Sequence, residues 1–403
     1  MNNCSYLEEV PDQSRTVAPL RGAVDYLFGS GGLRSAPTTG YFLFNLPVGF
    51  TNSPKETAMK ARISFCLFIC LVTAFSIPFL VSAKPATGYH LLKRFVLGGE
   101  GRWDYITVDS DSHRLYISRS THVMVVDADS GAIVGDIPNT SGVHGIALAS
   151  EFGKGFTSNG RDASVTIFEL KTLKTLGQLK VGQNPDAILY DPTSKRIFTF
   201  NGTSKDTTAI DAKSGTVVGT LALGGRPESG VSDGRGKIFV NIEDKSAVVE
   251  FDSRKLTVDA TWSLTPGEEP TGIAMDRKHR RLFVGCANKL MAVMNADNGK
   301  LITTLPIGDG VDATAFDPES RLAFSSNGEG TLTVVHEDAP DRFSVVENAA
   351  TQRGARTMAL DQKTHKVFLI TAEFGLPPAP TKEQPRPRPM IVPGTVTLLV
   401  FGR

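Results

Sequence analysis

The sequence predicts an all-β fold, a seven-bladed β-propeller of four-stranded antiparallel blades spanning residues 88–403. Three observations predict it. Seven similar segments recur at near-constant spacing. Each holds two apolar runs either side of a turn. The last unit lacks one strand, which an otherwise unpaired strand at the front can supply.

The segments open at Asp104, His144, Asp186, Glu228, Thr271, Asp312 and Arg356, so successive starts lie 40, 42, 42, 43, 41 and 44 residues apart. A period of roughly forty residues marks a solenoid or a propeller. The second run carries an aromatic residue at its centre: Tyr116, Phe156, Phe198, Phe239, Phe283, Phe324 or Phe368. Third and fourth strands follow around Asp127–Gly131, Asp211–Gly215 and Asn295–Gly299. In such turns Asp or Asn bonds its own backbone, and Gly takes the positive φ. Four strands in about 42 residues make one propeller blade.

The last repeat supplies two strands and a third at Gly394–Phe401, then the chain reaches Arg403. The leading strand, His90–Leu97, can pair with that third strand and complete the blade. This removes two open sheet edges, which would otherwise invite aggregation. The ring therefore closes on itself, pairing the N-terminal strand with the last blade. Between strands two and three of this blade sits an insertion, residues 374–394, with seven prolines. That density excludes a regular helix or strand and favours extended polyproline-like structure. It is expected on the channel-mouth face, as a lid or as a docking segment presenting Arg386 and Arg388.

The front end reads as an address. Met59-Lys60-Ala61-Arg62 precedes an apolar run ending Val81-Ser82-Ala83, so residues 59–83 are expected to be a signal peptide cleaved near Ala83. Residues 1–58 show no period and read as an unstructured or mis-annotated extension, with translation expected from Met59. The mature chain is then periplasmic or secreted and free of the membrane. It keeps only Cys286, so it has no internal disulfide.

The stretch Gly267–Asp276, GEEPTGIAMD, drifts into GQNPDAILYDP and GVDATAFDP in two other repeats. With the aromatic strand, the Asn and the Asp-x-x-x-Gly hairpin that follow, it resembles the YVTN-type repeat family, in particular YncE-like exported propellers. The resemblance covers about residues 88–403 and implies the propeller fold. It implies no single activity, because the architecture hosts many.

In a propeller the first strand of each blade lines the channel, so the seven opening residues converge. Asp104, His144, Asp186, Glu228, Asp312 and Arg356, with Trp103 beside them, are the expected ligand-binding mouth. Asp104, Asp186, Glu228 and Asp312 are the candidate ligands for Ca²⁺ or another divalent cation, and no other cofactor is expected. Backbone capping by Asp at turn-to-strand positions is the competing account, and Arg356 could neutralise one carboxylate without a metal. Trp103 could stack on a ligand ring or pack between blades.

Composition excludes other classes. Net charge is +1, with 43 basic against 42 acidic residues, so no footprint for nucleic acid is present. There is no Cys-x-x-Cys-His, His-Glu-x-x-His or phosphate-binding glycine loop. Two tryptophans are too few for the docking pattern of quinone-cofactor propellers. The expectation is a monomeric binding or interaction scaffold for a small polar ligand or a protein partner. The alternative is a metal-assisted, lactonase-like hydrolase built on the mouth carboxylates, with no catalytic residue identified.

Overall fold

The computed structural model describes residues 88–381, 387 and 389–403. The expectations for residues 1–58 and 59–83, and for Arg386 and Arg388, lie outside the described residues. Within them the chain forms seven four-stranded antiparallel sheets. Blade one holds Ile106–Asp109, Arg114–Ser118, Val123–Asp127 and Ile133–Ile137. Blades two to six repeat that meander, with first strands beginning at Val143, Pro185, Pro227, Pro270 and Val311. Blade seven takes Met358–Asp361, Lys366–Thr371 and Thr397–Gly402, and its outermost strand is His90–Val96 from the front of the chain. His90 faces Gly402 and Val96 faces Thr397 across this closing pair. First strands of consecutive blades pack on one another right round the molecule, blade seven on blade one included. The repeats form a ring and not a solenoid.

The turns follow the residue chemistry. The carboxylate of Asp127 accepts from the Ser130 backbone N–H at 2.8 Å, and Asp211 does the same for Ser214 at 2.7 Å. Gly131 and Gly215 follow at φ of 72° and 76°, where a Cβ would be strained.

The core lies between blades. The aromatic at the centre of strand two is at most 1% exposed in all seven. Three of these rings meet aromatics of the next blade: Tyr116 with Phe168 at 5.8 Å, Phe198 with Phe251 at 5.5 Å, Phe283 with Phe316 at 5.0 Å. Burying one such ring is worth about 2–3 kcal/mol, so the seven wedges are a large share of what holds blade to blade. Outer strands are more open, alternating exposed and half-buried residues as in Thr216–Ala222. Cys286 is fully buried, and burial pushes its thiol up to about 12. It packs as a small hydrophobe, not as a nucleophile. No helix among the described residues is long and apolar enough to cross a membrane.

Candidate ligand site at the channel mouth

Each of blades two to six opens on a buried Val or Pro, and the next residue is the one that the repeat pattern singled out. His144, Asp186, Glu228, Thr271 and Asp312 are second residues of their strands. In all five blades the pairing register shifts just after the strand opens, between Val143 and Ile146, Pro185 and Ile188, Pro227 and Gly230, Pro270 and Ile273, and Val311 and Ala313. A β-bulge bends its strand and re-aims side chains; here it recurs where the strands begin at the mouth. Blades one and seven depart from the pattern. Asp104 precedes its strand, its backbone N–H bonded to Ser118 Oγ at 2.9 Å, and Arg356 stands two residues ahead of Met358.

The ring brings Asp104, His144 and Asp186 together, from three consecutive blades. His144 Nδ1 is 2.6 Å from Asp104 Oδ2 and 3.6 Å from Asp186 Oδ1, and ligand atoms of all three lie within 4.8 Å of one another. Glu228 and Asp312 stand outside this group of three. Asp312 is paired with Arg356, Nε to Oδ2 at 3.5 Å. Burial alone would lower the His144 imidazole, but the Asp104 hydrogen bond and the charges of Asp186 and Asp104 turn the shift upward. Asp186 is pushed up to about 7 by burial; His144 opposes this, while Asp104, Asp312 and Glu243 add to it. Glu228 is pushed up to about 9, first by burial and then by the fields of Asp186, Glu243, Asp312 and Asp104. Carboxylates crowded in a half-buried mouth resist ionising together unless a cation enters.

Beside this acidic hub lies a cavity of about 290 Å³ lined by Arg102, Arg353, Arg356, Trp103 and Phe374, among others. The Trp103 and Phe374 rings are 6.2 Å apart, and Trp103 also packs against the core shared by blades seven and one. Phe374 comes from the proline-rich insertion, which therefore does reach the mouth. Its arms are joined by an isolated bridge between Phe374 and Ile391 and by the Gly375 N–H donating to Met390 O at 2.9 Å.

No protein-family profile matches the chain, and no curated protein does. Solved structures do. A U3-55K structure aligns over 77% of this chain and 98% of its own, with TM-score 0.63 and 9% identity. The RRP9 WD40 repeats align over 78% and 97%, with TM-score 0.64 and 9% identity. A chain of the mitotic checkpoint complex aligns over 91% and 99%, with TM-score 0.64 and 12% identity. The fold is a WD40-like β-propeller.

Three features of this mouth escape the repeat alignment. Tyr105 reaches across the axis to pack against the cluster shared by blades three and four. Burial, then the fields of Asp186, Glu228, Asp104 and Asp312, raise its phenol well above the usual value. Its signal is visible in retrospect. Where blade one has Tyr105, the other repeats carry Gly145, Ala187, Ser229, Gly272, Ala313 and Thr357. The second feature is Glu243, which joins the acidic set and is answered by Arg226 at 2.6 Å. The third is a set of strand-two side chains that hold the next blade's opening residue by its carbonyl: Ser158 donates to Asp186 O, Asn241 to Thr271 O at 2.9 Å, and Ser326 to Arg356 O.

Proposed function

We propose that this protein is an exported, YncE-like propeller that works as an interaction scaffold, taking a basic group of its ligand into the acidic hub at the channel mouth. One observation carries the reading. Glu243 is answered by Arg226 and Asp312 by Arg356, while Asp104, Asp186 and Glu228 have only His144 paired with them among the described residues. An ammonium or guanidinium entering there relieves the crowding of like charges. The rim cavity with its arginines and the Trp103–Phe374 pair offers a second contact for the same ligand. Export rests on the expected signal at residues 59–83. That a propeller of the same fold belongs to the mitotic checkpoint complex fits a scaffold.

Titration calorimetry with lysine-rich and glutamate-rich peptides of equal length tests this. The basic peptide is expected to bind, and the double substitution Asp186→Asn, Glu228→Gln to weaken it at least tenfold. Equal affinity of both proteins for the basic peptide rejects the reading.

The alternative, a divalent-metal-assisted hydrolase, is favoured by the ligand spacing of Asp104, His144 and Asp186. A metal held there by Asp104, His144 and Asp186 would polarise a carbonyl. Glu228, at about 9, is protonated at neutral pH and suits a general acid.

A further inference from the structure

The face opposite the mouth carries a second cluster, unrelated to the ligand reading above. Asp276 ends the first strand of blade five, His279 lies in the turn after it, and Glu337 lies in the third strand of blade six, Thr331–Ala339. One ligand atom of each lies within 4.8 Å of the other two.

Glu337 is the anomaly. It is 1% exposed, and among the described residues neither of its carboxyl oxygens accepts a well-formed hydrogen bond, its polar neighbours being His279 and Asp276. A buried carboxylate left like this costs several kcal/mol in general. Its site in the fold is defined by a backbone bond repeated in every blade from one to six. In blade six the Glu337 N–H donates to Arg321 O; in blades one to five the donors are Ala128, Leu170, Ala212, Ser253 and Ala296. Five repeats fill the position with a small or apolar residue, and the sixth buries an acid. Nothing in the blade geometry requires a carboxyl there.

The surroundings do not neutralise it. His279 Nδ1 is 3.1 Å from Glu337 Oε1, but its hydrogen bond goes to Asp276 Oδ2 at 2.7 Å. One imidazole nitrogen carries one proton and cannot serve both acids. Arg281, close in sequence, is spent on Pro340 O, the His279 and Arg280 carbonyls, and Asp341. With both carboxyls ionised the cluster is one positive charge short, and burial, then the charge of Asp276, push the Glu337 carboxyl upward unless a cation enters. Ligand atoms on a tetrahedral metal with bonds of about 2.0–2.2 Å stand about 3.3–3.6 Å apart, so the spacings of 2.7 and 3.1 Å need to open by only a few tenths of an ångström to admit an ion. His279 is 24% exposed at its side chain, which gives an ion a path from solvent.

We infer that Asp276, His279 and Glu337 form a divalent metal site, of the zinc type, that ties blade five to blade six. A mixed set of one imidazole and two carboxylates suits Zn²⁺ better than Mg²⁺, which prefers oxygen ligands and retains its waters. Water would complete the coordination on the His279 side.

The test uses the full chain, stripped with chelator and titrated with Zn²⁺ alone, read by calorimetry and by thermal melting, with Mg²⁺ as a comparison ion. The wild type is expected to take up one equivalent that Asp186→Asn at the mouth leaves intact and Glu337→Ala removes. Zn²⁺ should raise the wild-type melting temperature by several degrees and leave that of Glu337→Ala unchanged. Stripped Glu337→Ala should melt no lower than stripped wild type, since alanine occupies this position in three other blades. Zn²⁺ uptake that is equal in wild type and Glu337→Ala overturns the inference, and so does a wild type that binds none. The second result would mean that Glu337 and Asp276 share a proton instead of a metal.

Discussion

Asp186 and Glu228 hold protons where ordinary carboxyls have lost them, and this makes the stability of the mouth a function of pH. Their reference values are 3.8 and 4.5, against about 7 and about 9 in the fold. Between those limits the folded chain binds protons that the unfolded chain has released. Stability from this pair is therefore complete below the reference values and is lost as pH rises through about 7 and then about 9. Metal-free protein should melt several degrees lower at pH 9 than at pH 5, and Glu228→Gln should flatten much of that slope while raising the melting temperature at the alkaline end. A Glu228→Gln profile parallel to wild type across that range would refute the burial account. At this scale the sequence was partly legible. The opening column found Asp104, His144 and Asp186 because strand order makes them neighbours once the ring closes. It missed Glu243, which follows strand two and so falls outside the column, and it passed over Tyr105, whose size among small neighbours matters only when the channel width is known. That Arg356 pairs with Asp312 and not with another mouth acid depends on side-chain reach, which spacing does not encode.

The strand is the next scale, and there the small column beside the opening residues explains how seven first strands can crowd one axis. At Gly272 a Cβ would lie 2.5 Å from the Thr314 backbone nitrogen and 2.8 Å from Ala313 C, both in the first strand of the neighbouring blade. Backbone cannot swing aside as a side chain can. Gly272→Ala should therefore cost about 1–3 kcal/mol, the usual penalty for overpacking, and chemical denaturation should show it. Gly177→Ala, in the exposed fourth strand of blade two with nothing within 4 Å of the added carbon, should leave stability nearly unchanged. Equal effects of the two would remove hub crowding as the reason for the small column. Blades two to six were readable as four-stranded meanders because apolar runs, Asp-led turns and central aromatics all agree. Blade one was less so. The repeat alignment begins its first strand at Asp104, but the ladder begins at Ile106, because the Asp104 N–H is taken by the Ser118 hydroxyl instead of a strand partner. The insertion in blade seven was read from its prolines as irregular, and among the described residues it has only the Phe374–Ile391 bridge at its base. Its contact with Trp103 could not be seen from composition.

For the whole molecule, everything depends on one antiparallel seam between residues some three hundred positions apart. His90–Val96 completes blade seven against Thr397–Gly402, and the residues flanking it anchor the join. Tyr89 is 3% exposed, sets its ring 5.0 Å from Phe324 of blade six, and donates its hydroxyl to His365 O at 3.0 Å. Leu97 is buried in the core between blades seven and one, and its N–H donates to Val396 O at 2.8 Å. Without this segment, Thr397–Gly402 becomes an edge whose six residues are all buried in the intact ring, an apolar template for another chain. The acidic hub suffers as well, because Asp104 is placed by the chain leaving Leu97 while His144 and Asp186 are placed by later blades. Removing residues 88–97 is thus expected to lower the melting temperature by well over ten degrees, about what losing two buried large side chains and a strand ladder implies, or to yield aggregates on size-exclusion chromatography. Adding residues 88–97 back as a separate peptide should restore part of the lost stability, since the seam needs pairing and not chain continuity. A soluble deletion protein that melts like the full chain would show that seven blades hold their circle without the seam.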